Sequence, residues 1–368
     1  MPLQLQNDKE NHLRFLDSAR GIAALMVCIS HFIDKGYHDS PAEKYLFFLF
    51  NGNDAVSFFF VLSGFVLSYK YLVLNKPLDI KKFWVQRVFR IYPAYILTVA
   101  INMLLYRRSE LCGKGLVDIF VFDKGEFWQE AFLLRFHNNY YFPGWTLTME
   151  MVCSFFMPFF IILAIKDRRV VFYFFIALLI TGINLFNSTH FLLGTIISCY
   201  FVELKSPSFR TTKWYRHRYI LLLASVVLFS IRRIDIVFPL GSGYKSLAEF
   251  LSIDFFLYSG LASFVFIAAI LISRNSQKFL ELKPLVFIGK ISYSIYLVHS
   301  FAISLLYIYI LPLLHIPGKL LFLVTTLAIY AVITILSATL MHRFAELPFI
   351  AIGRRITNKM KPSVVVSK

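Results

Sequence analysis

Apolar runs of about 20 residues, the length an α-helix needs to cross a bilayer core of about 30 Å, recur ten times along the 368-residue chain. They are centred on residues 14–34, 54–74, 84–106, 144–165, 170–187, 189–204, 219–234, 250–273, 285–311 and 319–341, the fifth to seventh being short or ragged. One water-soluble core cannot absorb this much apolar surface: 58% of the residues are hydrophobic, 16% are charged and the mean hydropathy is +0.66. The expected fold is all-α, a polytopic integral membrane protein of about ten transmembrane helices. Forty-one Phe and 20 Tyr suit lipid-facing surfaces and interfacial belts, and they exclude disorder, collagen-like repeats and disulfide scaffolds. One integral domain over 1–368 is expected, with a polar segment at 1–12, the helices over 14–341 and a basic tail at 342–368. The polar start lacks the small-residue cleavage pattern of a secretory signal, so the first run is read as an uncleaved anchor and the mature chain as starting near Met1.

An even number of spans puts both termini on one side. With the N-terminus inside, the inner segments hold 27 of the 38 Lys and Arg residues, as the positive-inside rule requires for cytoplasmic termini in the cytoplasmic membrane. The formal charge of +17 is therefore topology, and a nucleic-acid partner is not needed to explain it. The longest outer connection, 107–143, contains a Gly-containing turn and a segment, 127–136, patterned as a short amphipathic helix lying along the membrane, a candidate lid. Cys28, Cys153 and Cys199 lie in apolar runs and Cys112 in a polar connection; no pair or cluster has metal-ligand spacing, so no metal site and no bound cofactor are expected.

Charged or titratable side chains inside spans are costly and mark candidate sites. Arg20 and His31 are eleven residues apart, nearly three helical turns, which gives one face and about 16 Å of depth. The same spacing fits an interfacial anchor arginine and a histidine in one interhelical hydrogen bond. Glu150 lies a little more than one turn into the fourth span, at a depth like that of His31, so the two could form an acid/base pair or a structural ion pair. Trp145, at the start of that span, fits an aromatic belt. Ser63 and Gly64 form a small pair that lets a helix or an extended ligand come close. Arg87 and Arg90, spaced i and i+3 after Lys81 and Lys82, share a helix face suited to phosphate oxygens or to plain lipid-headgroup contact. Tyr293, Tyr296 and His299 belong to a polar stripe expected to line a cavity.

Taken together these strings resemble the membrane-bound acyltransferase 3 family, polytopic O-acyltransferases that modify extracytoplasmic glycans. The likeness rests on LDSARGIAALMVCISH with Arg20 and His31, FFFVLSGF around Ser63, RVFRIYPAY around Arg87 and Arg90, WTLTMEM around Glu150, ISYSIYLVH before His299 and ELPF at Glu346. Where many relatives show two adjacent acids, this chain has Glu150 followed by Met151. The resemblance implies an acyl-CoA donor, most often acetyl-CoA, entering from the cytoplasm, and a carbohydrate or glycolipid hydroxyl as acceptor. Arg87 and Arg90 would hold the CoA phosphates, Arg20 would meet the donor further in, and Ser63 would line the channel. His31 would be general base or acyl carrier, oriented by Glu150. The rival reading is a transporter or flippase using His31, Glu150 and Arg20 as a proton relay, which paired repeats and broken spans in matching positions would mark; neither is found.

Overall fold

The computed structural model describes residues 13–36, 50–106, 125–135, 139–181, 187–230, 257–361 and 365–366. The polar segment 1–12, Cys112, most of the 107–143 connection and parts of the tail lie outside the described residues. The helices are α1 (Arg14–Gly36), α2 (Gly52–Leu72), α3 (Ile80–Tyr106), α4 (Glu126–Ala131), α5 (Gly144–Lys166), α6 (Arg168–Thr181), α7 (Ser188–Cys199), α8 (Arg218–Ser230), α9 (Leu257–Ile272), α10 (Arg274–Leu280), α11 (Lys283–Lys290), α12 (Ser292–Leu305), α13 (Lys319–Met341) and α14 (Leu347–Lys359), with shorter turns between some of them. The strands β1 (Leu78–Asp79) and β2 (Val365–Val366) form a two-residue antiparallel pair, Leu78 opposite Val366 and Asp79 opposite Val365.

A helix lies under each of the ten apolar runs, yet six are long and apolar enough to cross a membrane among the described residues, or seven if the bent pair Tyr258–Ile272 and Arg274–Leu280 is one span. Among the described residues the helices under the remaining runs are shorter or bent. Helices α6, α7 and α8 have 14, 12 and 13 residues, about 18–21 Å at 1.5 Å per residue, against a core of about 30 Å. At the 98° bend between α9 and α10, the buried Gln277 side chain donates to the carbonyls of Ile270 and Leu271 at 2.9 and 2.8 Å, satisfying acceptors that the interrupted helix leaves behind.

The chain folds as two compact units. The first comprises Met1–Ile80, Cys153–Lys290 and Pro362–Lys368. Here α2 packs on α1, α7 and α9, α8 packs on α9, and α11 packs on α1. The tightest crossing is α2 on α7, where the small residues Gly64 and Ser68 meet Gly194 and Ser198. A Cβ at Gly64 would stand 2.7 Å from the Phe191 Cα, and one at Gly194 would meet the backbone of Val61 and Phe65. Ser68 donates to Ser198 at 2.8 Å, and Ser198 to the Phe65 carbonyl at 3.0 Å. Small residues at i and i+4 on both helices are how apolar helices gain packing in lipid, where water no longer drives them together.

The second unit comprises Lys81–Val152 and Ile291–Lys361. It contains α3 beyond its first residue, α4, the start of α5, and α12 to α14. Helices α13 and α14 are joined by a π turn, His342–Glu346, into one helical run of 41 residues, Lys319–Lys359. Pro348, one residue into α14, has no N–H for the Phe344 carbonyl, so the regular ladder breaks and a π turn absorbs the defect. That turn carries the Glu346 side chain inward, where it is 3% exposed.

Candidate functional site

In the first unit, Arg20 and His31 lie on the unbroken helix α1, with Ala24, Val27 and Cys28 buried between them. Helix α1 is continuous from one residue to the other. Arg20 pairs with Asp17, one turn earlier, at 2.9 Å, and His31 is half-buried with Asp34 and Lys35 as charged neighbours on its own helix. Ser30 packs against the backbone of Gly52, which seats the first turn of α2 beside the turn of α1 that carries His31. Ser63 is half-buried, and the close approach foreseen for the Ser63–Gly64 pair is made by the backbone of α7 at Gly64.

Sequence reasoning missed a buried polar cluster at this end of α2. Asn51 caps the helix by accepting from the Asp54 N–H and donates to the Asp54 carboxylate and to the Phe229 carbonyl. Tyr258 donates to the other Asp54 oxygen at 3.2 Å, and Ser259 to Ser57 at 2.6 Å. Asp54 is 2% exposed. The signal was in the string NGND: an amide and an acid at helix-capping spacing.

The second unit collects residues from four of the motif strings. The Arg87 guanidinium donates to Glu150 Oε1 at 2.6 Å, their side chains 12% and 22% exposed. Arg90 faces Glu346 Oε1 at 3.9 Å. The second Glu346 oxygen contacts Ser294 Oγ at 2.9 Å and His342 Nδ1 at 2.8 Å. Tyr293 lies within electrostatic range of all four charged groups and donates to the Ile91 carbonyl at 2.8 Å. The cluster is balanced, two guanidiniums against two carboxylates, which lowers the cost of holding any one of them away from water. The Arg87–Glu150 contact sets their side-chain ends against each other, although the sequence reading put Arg87 at the inner face and Glu150 near the outer one. Arg87 is the eighth residue of α3 and Glu150 the seventh of α5.

Tyr296 and His299 are 7% and 0% exposed and take part in a polar seam with the start of α5. The Tyr296 hydroxyl contacts Thr146 Oγ1 and donates to the Pro143 carbonyl, and the Tyr296 carbonyl accepts from Tyr141 at 2.6 Å and from His299 Nδ1. Trp145, the second residue of α5, is half-buried. The same segment is held by Glu130, which the sequence did not single out. Its carboxylate accepts from the backbone N–H groups of Asn139, Tyr140 and Tyr141 at 2.9, 3.1 and 2.6 Å, and its own carbonyl accepts from Tyr95 at 3.0 Å. Burial pushes the Glu130 carboxyl above its ordinary value, and those three N–H groups partly offset the rise. The amphipathic helix foreseen over 127–136 is the shorter α4. Phe127 and Ala131 are buried and Trp128 is exposed, and the helix ends ahead of Leu133, whose φ is +57°. Among the described residues no three His, Cys, Asp or Glu side chains come together to hold a metal ion.

With these residues in place, comparison with known proteins identifies the class. The chain belongs to the acyltransferase 3 family, whose acyltransferase-domain model matches residues 13–342. Proteins of Staphylococcus aureus strains COL and MSSA476, both named "Putative O-acetyltransferase", are each 25% identical to it over 396 residues, covering 97% of this chain and 60% of theirs. A protein of the same name from strain MRSA252 is 25% identical over 389 residues, covering 95% of this chain and 59% of its own. The chain thus spans about three fifths of the length of these relatives. No solved structure is a significant match.

Proposed function

We propose that this protein is a membrane-embedded O-acyltransferase that moves an acyl group, in the first instance acetyl, from acyl-CoA to a hydroxyl of a carbohydrate or glycolipid acceptor. The observation that carries the reading is the convergence, within one unit, of Arg87, Arg90, Glu150 and Tyr293, from three strings inside the family match over residues 13–342, with Glu346, just beyond that match, beside Arg90. A pair of arginines one turn apart offers several N–H donors to CoA phosphates, and guanidiniums are well matched to phosphate oxygens. Glu150 acts in this reading by fixing Arg87. As the family resemblance implies, Arg20 would also contact the donor, Ser63 would line the channel, and His31 would either draw the proton from the acceptor hydroxyl or carry the acyl group in a two-step route. The basic inner segments favour a cytoplasmic membrane location with both termini inside and the donor arriving from the cytoplasm.

The test is mass spectrometry of cell-surface glycans from cells with the intact gene, without it, and with His31→Ala. Loss of an acetyl-sized mass in the deletion, and at least about a 100-fold fall in transfer by purified His31→Ala protein, is the expected result. Retention of more than about a tenth of wild-type turnover would remove His31 from the chemistry. Unchanged glycans in the deletion would remove the acceptor class.

A further inference from the structure

Glu346 has no role in the reaction as drawn so far, yet it is the most enclosed charge in the Arg87–Arg90 cluster. It is 3% exposed, while Arg90 is 34% exposed. Of the two, the guanidinium is the accessible group and the carboxylate the enclosed one. Two features turn Glu346 toward Arg90: the π turn forced ahead of Pro348 aims the side chain inward, and Ser294 and His342 hold its Oε2 so that Oε1 is left facing Arg90 Nη2. The 3.9 Å separation is too long for a hydrogen bond. The interaction is electrostatic orientation, engaging one end of a planar fork that has five donors in all.

We infer that Glu346 is a positioning residue that aims the Arg90 guanidinium for a phosphate-bearing ligand, resting on the reading of Arg87 and Arg90 as the acyl-CoA phosphate seat. Without the carboxylate, the long Arg90 side chain regains rotamer freedom and must give it up again when ligand binds, so affinity falls while the chemical step is untouched. The route from Glu346 to the ligand runs, in this reading, through Arg90, so its effect is expected to vanish when Arg90 is gone.

A double-mutant cycle on CoA binding by calorimetry tests this, using wild type, Glu346→Gln, Arg90→Ala and the double variant, each titrated with CoA and with phosphate-free pantetheine. Glu346→Gln is expected to weaken CoA binding about tenfold, to leave pantetheine binding unchanged and to raise the KM for acyl-CoA with kcat within about twofold. In the Arg90→Ala background the same change is expected to add nothing. Glu346→Asp, which keeps the charge on a shorter arm, should recover part of the loss. If Arg90→Ala weakens CoA binding but Glu346→Gln does not, or weakens it equally in the Arg90→Ala background, the positioning role is wrong and Glu346 is structural. If wild type binds CoA and pantetheine equally, or Arg90→Ala binds CoA as wild type does, the phosphate seat itself is wrong. Should Glu346→Gln not purify, Ser294→Ala replaces it in the cycle, since it frees one side of the carboxylate without removing charge. A loss of about threefold that disappears in the Arg90→Ala background then supports the positioning role, and no loss, or an equal loss in both backgrounds, overturns it.

Discussion

The Arg87–Glu150 pair permits the sharpest stability prediction. Glu150→Gln keeps the shape of the side chain and removes its charge, leaving Arg87 enclosed without its carboxylate. Two unit charges about 4 Å apart attract by about 4 kcal/mol at an effective dielectric near 20, but desolvation offsets much of that gain. The net effect is bounded by two kinds of site. Breaking a fully buried pair costs about 3–5 kcal/mol, and an exposed pair contributes about 0–1 kcal/mol. With side chains 12% and 22% exposed and a 2.6 Å contact, this pair sits nearer the buried limit, and Glu150→Gln is expected to lose about 2–3 kcal/mol. Arg87→Met should lose a similar amount. Reversible unfolding by sodium dodecyl sulfate in mixed micelles, followed by helical circular dichroism, measures both variants and the double Arg87→Met/Glu150→Gln. The double variant should be less destabilised than the sum of the two single losses, by about 2 kcal/mol. A coupling below about 0.5 kcal/mol would mean that the two side chains do not hold each other, and the balanced cluster would lose its central contact.

Two further outcomes follow from the packing and from the anchored segment. Gly194→Ala forces a methyl into the backbone of α2 at Val61 and Phe65 and should destabilise by about 1–3 kcal/mol in the same micelle assay; an unchanged unfolding curve would show that α2 and α7 do not cross in contact. For Glu130, burial raises the folded-state carboxyl above its unfolded value, so the fold holds that proton more tightly than the unfolded chain does. Its contribution to stability is complete below pH of about 4 and declines as pH rises through the raised value. The wild-type minus Glu130→Gln difference in thermal midpoint, measured from about pH 4 to about pH 8, should carry that slope. A flat difference, or one that grows in favour of wild type as pH rises, would contradict it.

Local sequence was sufficient wherever the controlling interaction lies within one helix. The ten apolar runs each carry a helix because apolar side chains and intrahelical hydrogen bonds are local properties. The Arg20–His31 line follows from the helical repeat alone. Span length was less legible: α7 ends at Cys199, inside the apolar run that continues to 204. The small pair at Ser63 and Gly64 announced a close approach, but only the packed structure shows that α7 makes it.

Partners were beyond the sequence, and with them much of the candidate site. The contact of Glu150 with Arg87, 63 residues away, is set by tertiary packing and was signalled by no spacing in the sequence. Ser294 reaches Glu346 across 52 residues, and Glu130, an unremarked acid in a surface-like segment, anchors the backbone 9 to 11 residues further on. Periodicity assigns a residue to a helix face and a depth, and hydropathy assigns the helix to a membrane. Which face meets which is decided by how the helices pack together, where steric fit at small residues and the cost of leaving a buried charge unmatched select one arrangement among many of similar apolar content.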